Sequence, residues 1–109
     1  MITITIYKDQ NDRYRGFDSI GHADYADAGE DIVCAGVSAL VLNAVNSVEA
    51  FTQDSFDVNT LEENGFISFR FRKAPSSESQ LLLKSLVLGL QGIQNSYGNE
   101  YILLIFKEV

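Results

Sequence analysis

The sequence predicts an α/β (α+β) fold, with elements in the order β-β-α-β-β-α-β and two helices packed on a small mixed sheet. Three observations support this prediction: a strictly alternating N-terminal segment, two long stretches with apolar residues at helical spacing, and short apolar segments bounded by turn residues. The 109 residues, 46% of them hydrophobic, are enough for one buried core. We therefore expect a single domain spanning residues 1–109.

The first two elements are strands. Ile2, Ile4 and Ile6 alternate with polar residues, which is typical of a strand with one buried face. The polar segment DQND at 9–12 predicts a turn, and RYRGFDSI at 13–20 predicts the second strand.

The first helix is predicted over residues 32–52, where apolar side chains recur every three or four positions. Additional apolar residues widen this stripe, so we expect the helix to be largely buried. These widening residues are Ile32, Ala39, Leu42 and Val45.

A hairpin is predicted next, with arms at 56–61 and 66–73 and Gly65 taking a positive φ in the EENG turn. The last strand, YILLIF at 101–106, is apolar at every position, which predicts a strand covered on both faces. Two helices alone leave one face of the sheet without a cover, and dimerisation can supply it.

The second helix is predicted from about Glu78 to Ser96. Ser77 and Gln80 have the spacing of a capping box at its start, and Gly98 is suited to end it.

Composition excludes several partners and compartments. A net charge of −7 would repel phosphate backbones, so we expect no direct nucleic-acid binding and favour cationic partners. No segment has the pattern of a signal peptide or approaches a membrane span, so we expect no membrane association. A single cysteine forms no internal disulfide, and the expected location is the cytoplasm.

The loop between the second strand and the first helix holds the candidate chemistry, namely the only histidine, His22, and the only cysteine, Cys34. Gly21 and Gly29 lie near the two ends of this loop and are candidate hinges of a lid. Asp31 is a natural N-cap, which would place Cys34 in the first helical turn, where unpaired N–H groups and the helix dipole favour a thiolate. The same N–H groups could receive an oxyanion, with His22 as general base and acid.

Less reactive interpretations stay open on spacing alone. Free cysteines are most often buried packing residues, and Cys34 fits that interpretation; the acids around it disfavour a thiolate while favouring an imidazolium. Ser38, one turn after Cys34, can hydrogen-bond near the sulfur or to its own helix. His22 with Asp24, Asp27 and Asp31 matches no calcium or zinc spacing, so we expect neither a metal nor a cofactor. 

The segments GHA at 21–23 and DIVCAGVS at 31–38, joined by a loop with Gly29, resemble the ribosomal-processing cysteine protease Prp family over essentially the whole chain. The resemblance implies a homodimeric cytoplasmic endopeptidase, which removes the N-terminal extension of a large-subunit ribosomal protein by cutting after an aromatic residue in an apolar-then-basic segment. It further implies Cys34 as nucleophile, His22 as general base, a mobile lid between them, and Asp31 and Ser38 beside the pair.

Two functions therefore remain in competition. The first is a cysteine endopeptidase that uses Cys34 and His22. The second is a non-catalytic acidic dimer that binds a basic ribosomal protein during ribosome assembly.

Overall fold

The computed structural model describes residues 1–27 and 29–109, and it confirms the predicted order of elements. The strands are β1 (Ile2–Lys8), β2 (Tyr14–Ile20), β3 (Phe56–Leu61), β4 (Phe66–Phe71) and β5 (Ile102–Glu108). The helices are α1 (Ile32–Phe51) and α2 (Ser77–Tyr97), and a single 3-10 turn, Glu62–Asn64, lies between β3 and β4.

All five strands form one mixed sheet in the order β3-β4-β2-β1-β5. β1 pairs antiparallel with β2 and parallel with β5, while β4 joins β2 to β3 through antiparallel pairs. The register places Ser19 between Ile4 of β1 and Ile67 of β4. The end of β2, from which the candidate loop departs, therefore lies beside the start of β4.

The core lies between one face of the sheet and the two helices, which pack against each other on that face. Ile4, Ile6 and Phe17 are fully buried there, and the Phe17 ring stacks on that of Phe69 with centroids 5.3 Å apart. The alternate residues of β1 point to the opposite face and are only half-buried. The uncovered face expected from the helix count is therefore present.

Two expectations about burial are wrong. Only a narrow stripe of α1 is buried, and Ile32 and Leu42 are each 54% exposed, because α2 is the element against which α1 mainly packs. β5 is not covered on both faces, because it forms an edge of the sheet and its last residues are exposed.

The start of α2 also differs from the prediction. The N-cap is Ser76 rather than Ser77, and its hydroxyl accepts from the Ser79 N–H at 3.2 Å. Asp54 fixes this choice, because its carboxylate accepts from the Ser76 N–H and from the hydroxyls of Ser76 and Ser79. Gly98 ends the helix as predicted.

Among the described residues, α1 is the one helix that is long and apolar enough to cross a membrane by length and composition. The expectation that no segment approaches such a span is therefore wrong by those two criteria. Core helices meet the same criteria, and α1 packs Val33, Val37, Val41 and Val48 into the core beside α2.

Candidate active site

The loop that carries His22 begins at a backbone position that only glycine fits. Gly21 has φ +98°, and a Cβ placed on it would lie 2.4 Å from the carbonyl oxygen of Met1. Gly29 also has a positive φ, +87°, but a Cβ there would meet nothing within 4 Å. Both candidate hinges thus adopt left-handed backbone conformations, while hinge motion itself stays a prediction. Ala28, within the proposed lid, lies outside the described residues.

The helix start that carries Cys34 is built as predicted. Asp31 is the N-cap of α1, and its Oδ1 accepts from the N–H groups of Val33 and Cys34 at 3.0 Å each. Its Oδ2 accepts from the N–H of Tyr25 in the loop, also at 3.0 Å. One carboxylate therefore holds both the first turn of the helix and the middle of the loop.

The sulfur of Cys34 faces the loop. Cys34 is half-buried, and its Sγ accepts from the backbone N–H of Ala23 at 3.1 Å. Ala23 is buried, whereas His22, the preceding residue, is exposed. This hydrogen bond anchors the backbone beside His22 to the sulfur.

Two cavities meet at this point, one of about 430 Å³ and one of about 500 Å³. His22, Cys34 and Ser38 line both of them. The first cavity has mainly apolar walls, and the second has acidic and small ones. The first is walled by Ile2, Val37, Val41, Leu42 and Ile67, and the second by Asp24, Ala26, Gly29, Asp31 and Ala35. The structure thus gathers all the candidate residues around one junction, with Gly21 in the first cavity.

The electrostatic environment of the sulfur favours the protonated thiol. Burial raises the pKa of the Cys34 thiol above its ordinary value, the Ala23 N–H acts in the opposite direction, and the charges of Asp31 and Asp24 raise it further. The resting sulfur is therefore a thiol. A base must remove its proton before it can act as a nucleophile.

Two of the first-turn N–H groups that were proposed for an oxyanion site are not available for it. The N–H groups of Val33 and Cys34 already donate to Asp31. Burial acts to raise the pKa of the Asp31 carboxyl, but hydrogen bonds from the Cys34 and Tyr25 N–H groups hold it below its usual value. A donor occupied by a carboxylate is not free to receive a developing oxyanion.

Sequence reasoning missed two parts of this site. One is the wall formed by Thr60, Glu62 and Gly65 of the β3–β4 hairpin, which only long-range strand pairing brings to the loop. The other is an aromatic clasp on the loop: the ring of Tyr25 lies edge-on to Tyr97 and Tyr101, with centroids 5.5 and 5.1 Å apart. The aromatic residues at 97 and 101 were visible in the sequence, but nothing there linked them to Tyr25.

Within residues 1–27 and 29–109, no group of three or more His, Cys, Asp or Glu side chains is arranged to hold a metal ion.

Comparison with known proteins gives the family. The family model described as cysteine protease Prp matches residues 1–102. The ribosomal processing cysteine protease Prp of Staphylococcus aureus (strain Mu50) is 35% identical over 107 residues, covering 98% of this chain and all of that protein. The Bacillus subtilis (strain 168) protein of the same name is 33% identical over 101 residues, covering 89% of this chain and 90% of that protein.

A crystal structure of the S. aureus protease, described as an essential ribosomal processing protease in complex with a covalently linked product peptide, superposes with a TM-score of 0.93 at 34% identity. The superposition covers 98% of this chain and 100% of the S. aureus chain. Of the two functions that the sequence left in competition, these comparisons support the enzyme. The chain is a cysteine protease and belongs to the cysteine protease Prp family.

Proposed function

We propose that this protease removes the N-terminal extension of a large-subunit ribosomal protein, with Cys34 as nucleophile and His22 as general base. The observation that carries the proposal is that both residues line both cavities, so a peptide crossing from one cavity to the other passes the sulfur. The relatives are named ribosomal processing cysteine proteases, which supports the choice of substrate.

The reaction follows from the protonation state of the sulfur. Because the pKa of Cys34 is raised, His22 takes the thiol proton as Sγ attacks the carbonyl carbon of the scissile bond. His22 then gives that proton to the leaving amine, which leaves a thioester between Cys34 and the N-terminal fragment. Water, deprotonated by His22, hydrolyses the thioester and restores the thiol.

The walls of the cavities fit an apolar-then-basic segment. The apolar side of the segment, ending in the aromatic residue, would occupy the first cavity, whose walls include Val37, Val41 and Ile67. The basic side would follow toward Asp24 and Asp31 in the second cavity, where the net charge of −7 also favours its approach.

The test is cleavage of a synthetic peptide with the sequence of such an extension, followed by mass spectrometry. The wild-type chain should cut once, after the aromatic residue, whereas Cys34→Ala and His22→Ala should cut at least about a hundredfold more slowly. Asp12→Ala, in the turn between β1 and β2, is the matched control and should cleave normally. Unchanged cleavage by Cys34→Ala would refute the nucleophile assignment.

Peptide variants test the substrate. Replacing the aromatic residue by alanine should abolish cleavage. Replacing the basic residues by glutamine should slow cleavage, and this loss should be larger at low salt, where charges are less screened. Equal cleavage of all three peptides would contradict recognition of an apolar-then-basic segment.

We also propose that the protease acts in the cytoplasm as a homodimer that covers the open sheet face. On that face Leu103 and Ile105 of β5 are only half-buried, beside a polar cluster in which Asp18 accepts from the Tyr7 hydroxyl and pairs with Arg70. Sedimentation equilibrium should give twice the chain mass, and Ile105→Lys should give the monomer mass. A wild-type monomer would refute the dimer, and cell fractionation tests the location.

A further inference from the structure

Within residues 1–27 and 29–109, the ring of His22, the proposed general base, has no side-chain partner to orient it. Among the described residues, no hydrogen bond or ion pair involves the His22 side chain, and the residue is exposed. A third residue that orients the imidazole, as in a catalytic triad, is therefore missing from the described contacts. Backbone of a neighbouring segment lies beside the ring instead.

The backbone that reaches His22 is the turn between β3 and β4. The N–H of Gly21 donates to the carbonyl oxygen of Asn64 at 2.9 Å, which ties the start of the loop to this turn. Gly65, the next residue, ends the 3-10 turn with φ +62° and lines the apolar cavity.

Gly65 leaves the space that the imidazole edge occupies. A Cβ on Gly65 would lie 2.8 Å from the carbonyl oxygen of Gly21 and 3.3 Å from Cε1 of His22. The first distance is below any normal contact and involves a backbone atom, so the loop itself would have to move. The second would press directly on the ring.

We infer that Gly65 is a positioning residue for His22: its bare backbone forms the wall that sets the place of the imidazole relative to Cys34. The consequence for cleavage rests on the proposed role of His22 as general base, whereas the consequence for the ring does not. Small displacements of a catalytic group can cost up to about a hundredfold in rate.

The experiment uses the fact that His22 is the only histidine, so its Cε1–H group gives a single identifiable resonance in carbon-edited NMR. Gly65→Ala should shift this resonance and show a nuclear Overhauser effect between the new methyl group and the ring proton. Peptide cleavage should fall at least about tenfold, mainly in kcat.

Two variants separate the contact from backbone strain. Gly65→Asn retains the Cβ, while asparagine tolerates the left-handed conformation, so it should also shift the resonance even if the alanine variant fails to fold. Asp12→Ala places alanine at φ 63° in the β1–β2 turn, at the opposite end of the sheet, and should leave both the resonance and cleavage unchanged.

The outcomes are distinguishable. An unmoved His22 resonance in the folded Gly65 variants, or an equal shift in Asp12→Ala, overturns the inference. A shifted resonance with normal cleavage supports the placement of the ring by Gly65 and instead refutes His22 as the general base.

Discussion

Replacing Tyr25 should loosen the active-site loop without unfolding the domain. The Tyr25 ring is held edge-on between Tyr97 at the end of α2 and Tyr101 before β5. Each such aromatic pair contributes about 0.5–1.5 kcal/mol beyond area burial. Because Tyr25 is 41% exposed, we take the lower half of that range, which gives about 1–2 kcal/mol for the two pairs together.

That free energy converts directly into local opening. Losing about 1–2 kcal/mol raises the population of the open loop by a factor of about 5–30. The Ala23 N–H is the reporter, because it donates to the Cys34 sulfur and opening of the loop would break this hydrogen bond. Amide hydrogen exchange followed by NMR should therefore show its protection falling by about 5–30-fold in Tyr25→Ala.

The matched variant is Tyr25→Phe, which keeps the ring and should keep the protection of Ala23 within about twofold. Protection of the buried β1 amides should stay constant in both variants, since the clasp lies outside the core. Unchanged exchange at Ala23 in Tyr25→Ala would show that the aromatic clasp does not hold the loop, and equal loosening in both variants would attribute the effect to the hydroxyl.

Three further predictions concern charge and packing. Asp31→Asn keeps an N-cap of similar quality and removes a charge that raises the pKa of Cys34, so the pH profile of iodoacetamide alkylation should move to lower pH. Asp31→Ala should also lower the melting temperature by about 5 °C, because the cap is lost. An unmoved alkylation profile in both variants would contradict the role of Asp31 in raising the pKa of Cys34. Burial acts to raise the pKa of Asp54, but hydrogen bonds hold it below its usual 3.8, so their stabilisation is present above pH 3.8 and is lost as the pH falls through the lower pKa of the folded state. The difference in melting temperature between wild type and Asp54→Asn should therefore shrink in acid. A difference that stays constant with pH would refute this role of Asp54. Phe17→Ala should cost about 3–5 kcal/mol in urea unfolding, because the ring is fully buried and stacked on Phe69, and a loss below about 1 kcal/mol would contradict the assignment of the core.

Local features of the site were predictable from the sequence because short-range rules govern them. An aspartate before an apolar helical stretch caps it by accepting from N–H groups two and three residues on, and this local rule places Cys34 in the first turn of the helix. Gly65 likewise has the positive φ expected of its turn. The segments around His22 and Cys34 carry the resemblance to the family.

Features that depend on distant residues were not predictable in the same way. Apolar periodicity indicates which face of α1 can be buried, but the number of elements packed on it decides that Leu42 stays exposed. The shift of the α2 cap to Ser76 depends on Asp54, which lies 22 residues earlier. The sign of the Cys34 pKa shift needed the burial of the sulfur and the placement of Asp31, which no spacing reveals.

The meeting of the two cavities at Cys34 has a consequence for inhibitor design. A compound that fills only the apolar cavity would compete with one half of a bound peptide and leave the half beside Asp24 and Asp31 untouched. A molecule that spans both cavities would carry a thiol-reactive centre with an apolar group on one side and a cationic group on the other. Its selectivity would come from the pairing of an apolar with an acidic cavity, which a protease with a uniform cleft does not offer.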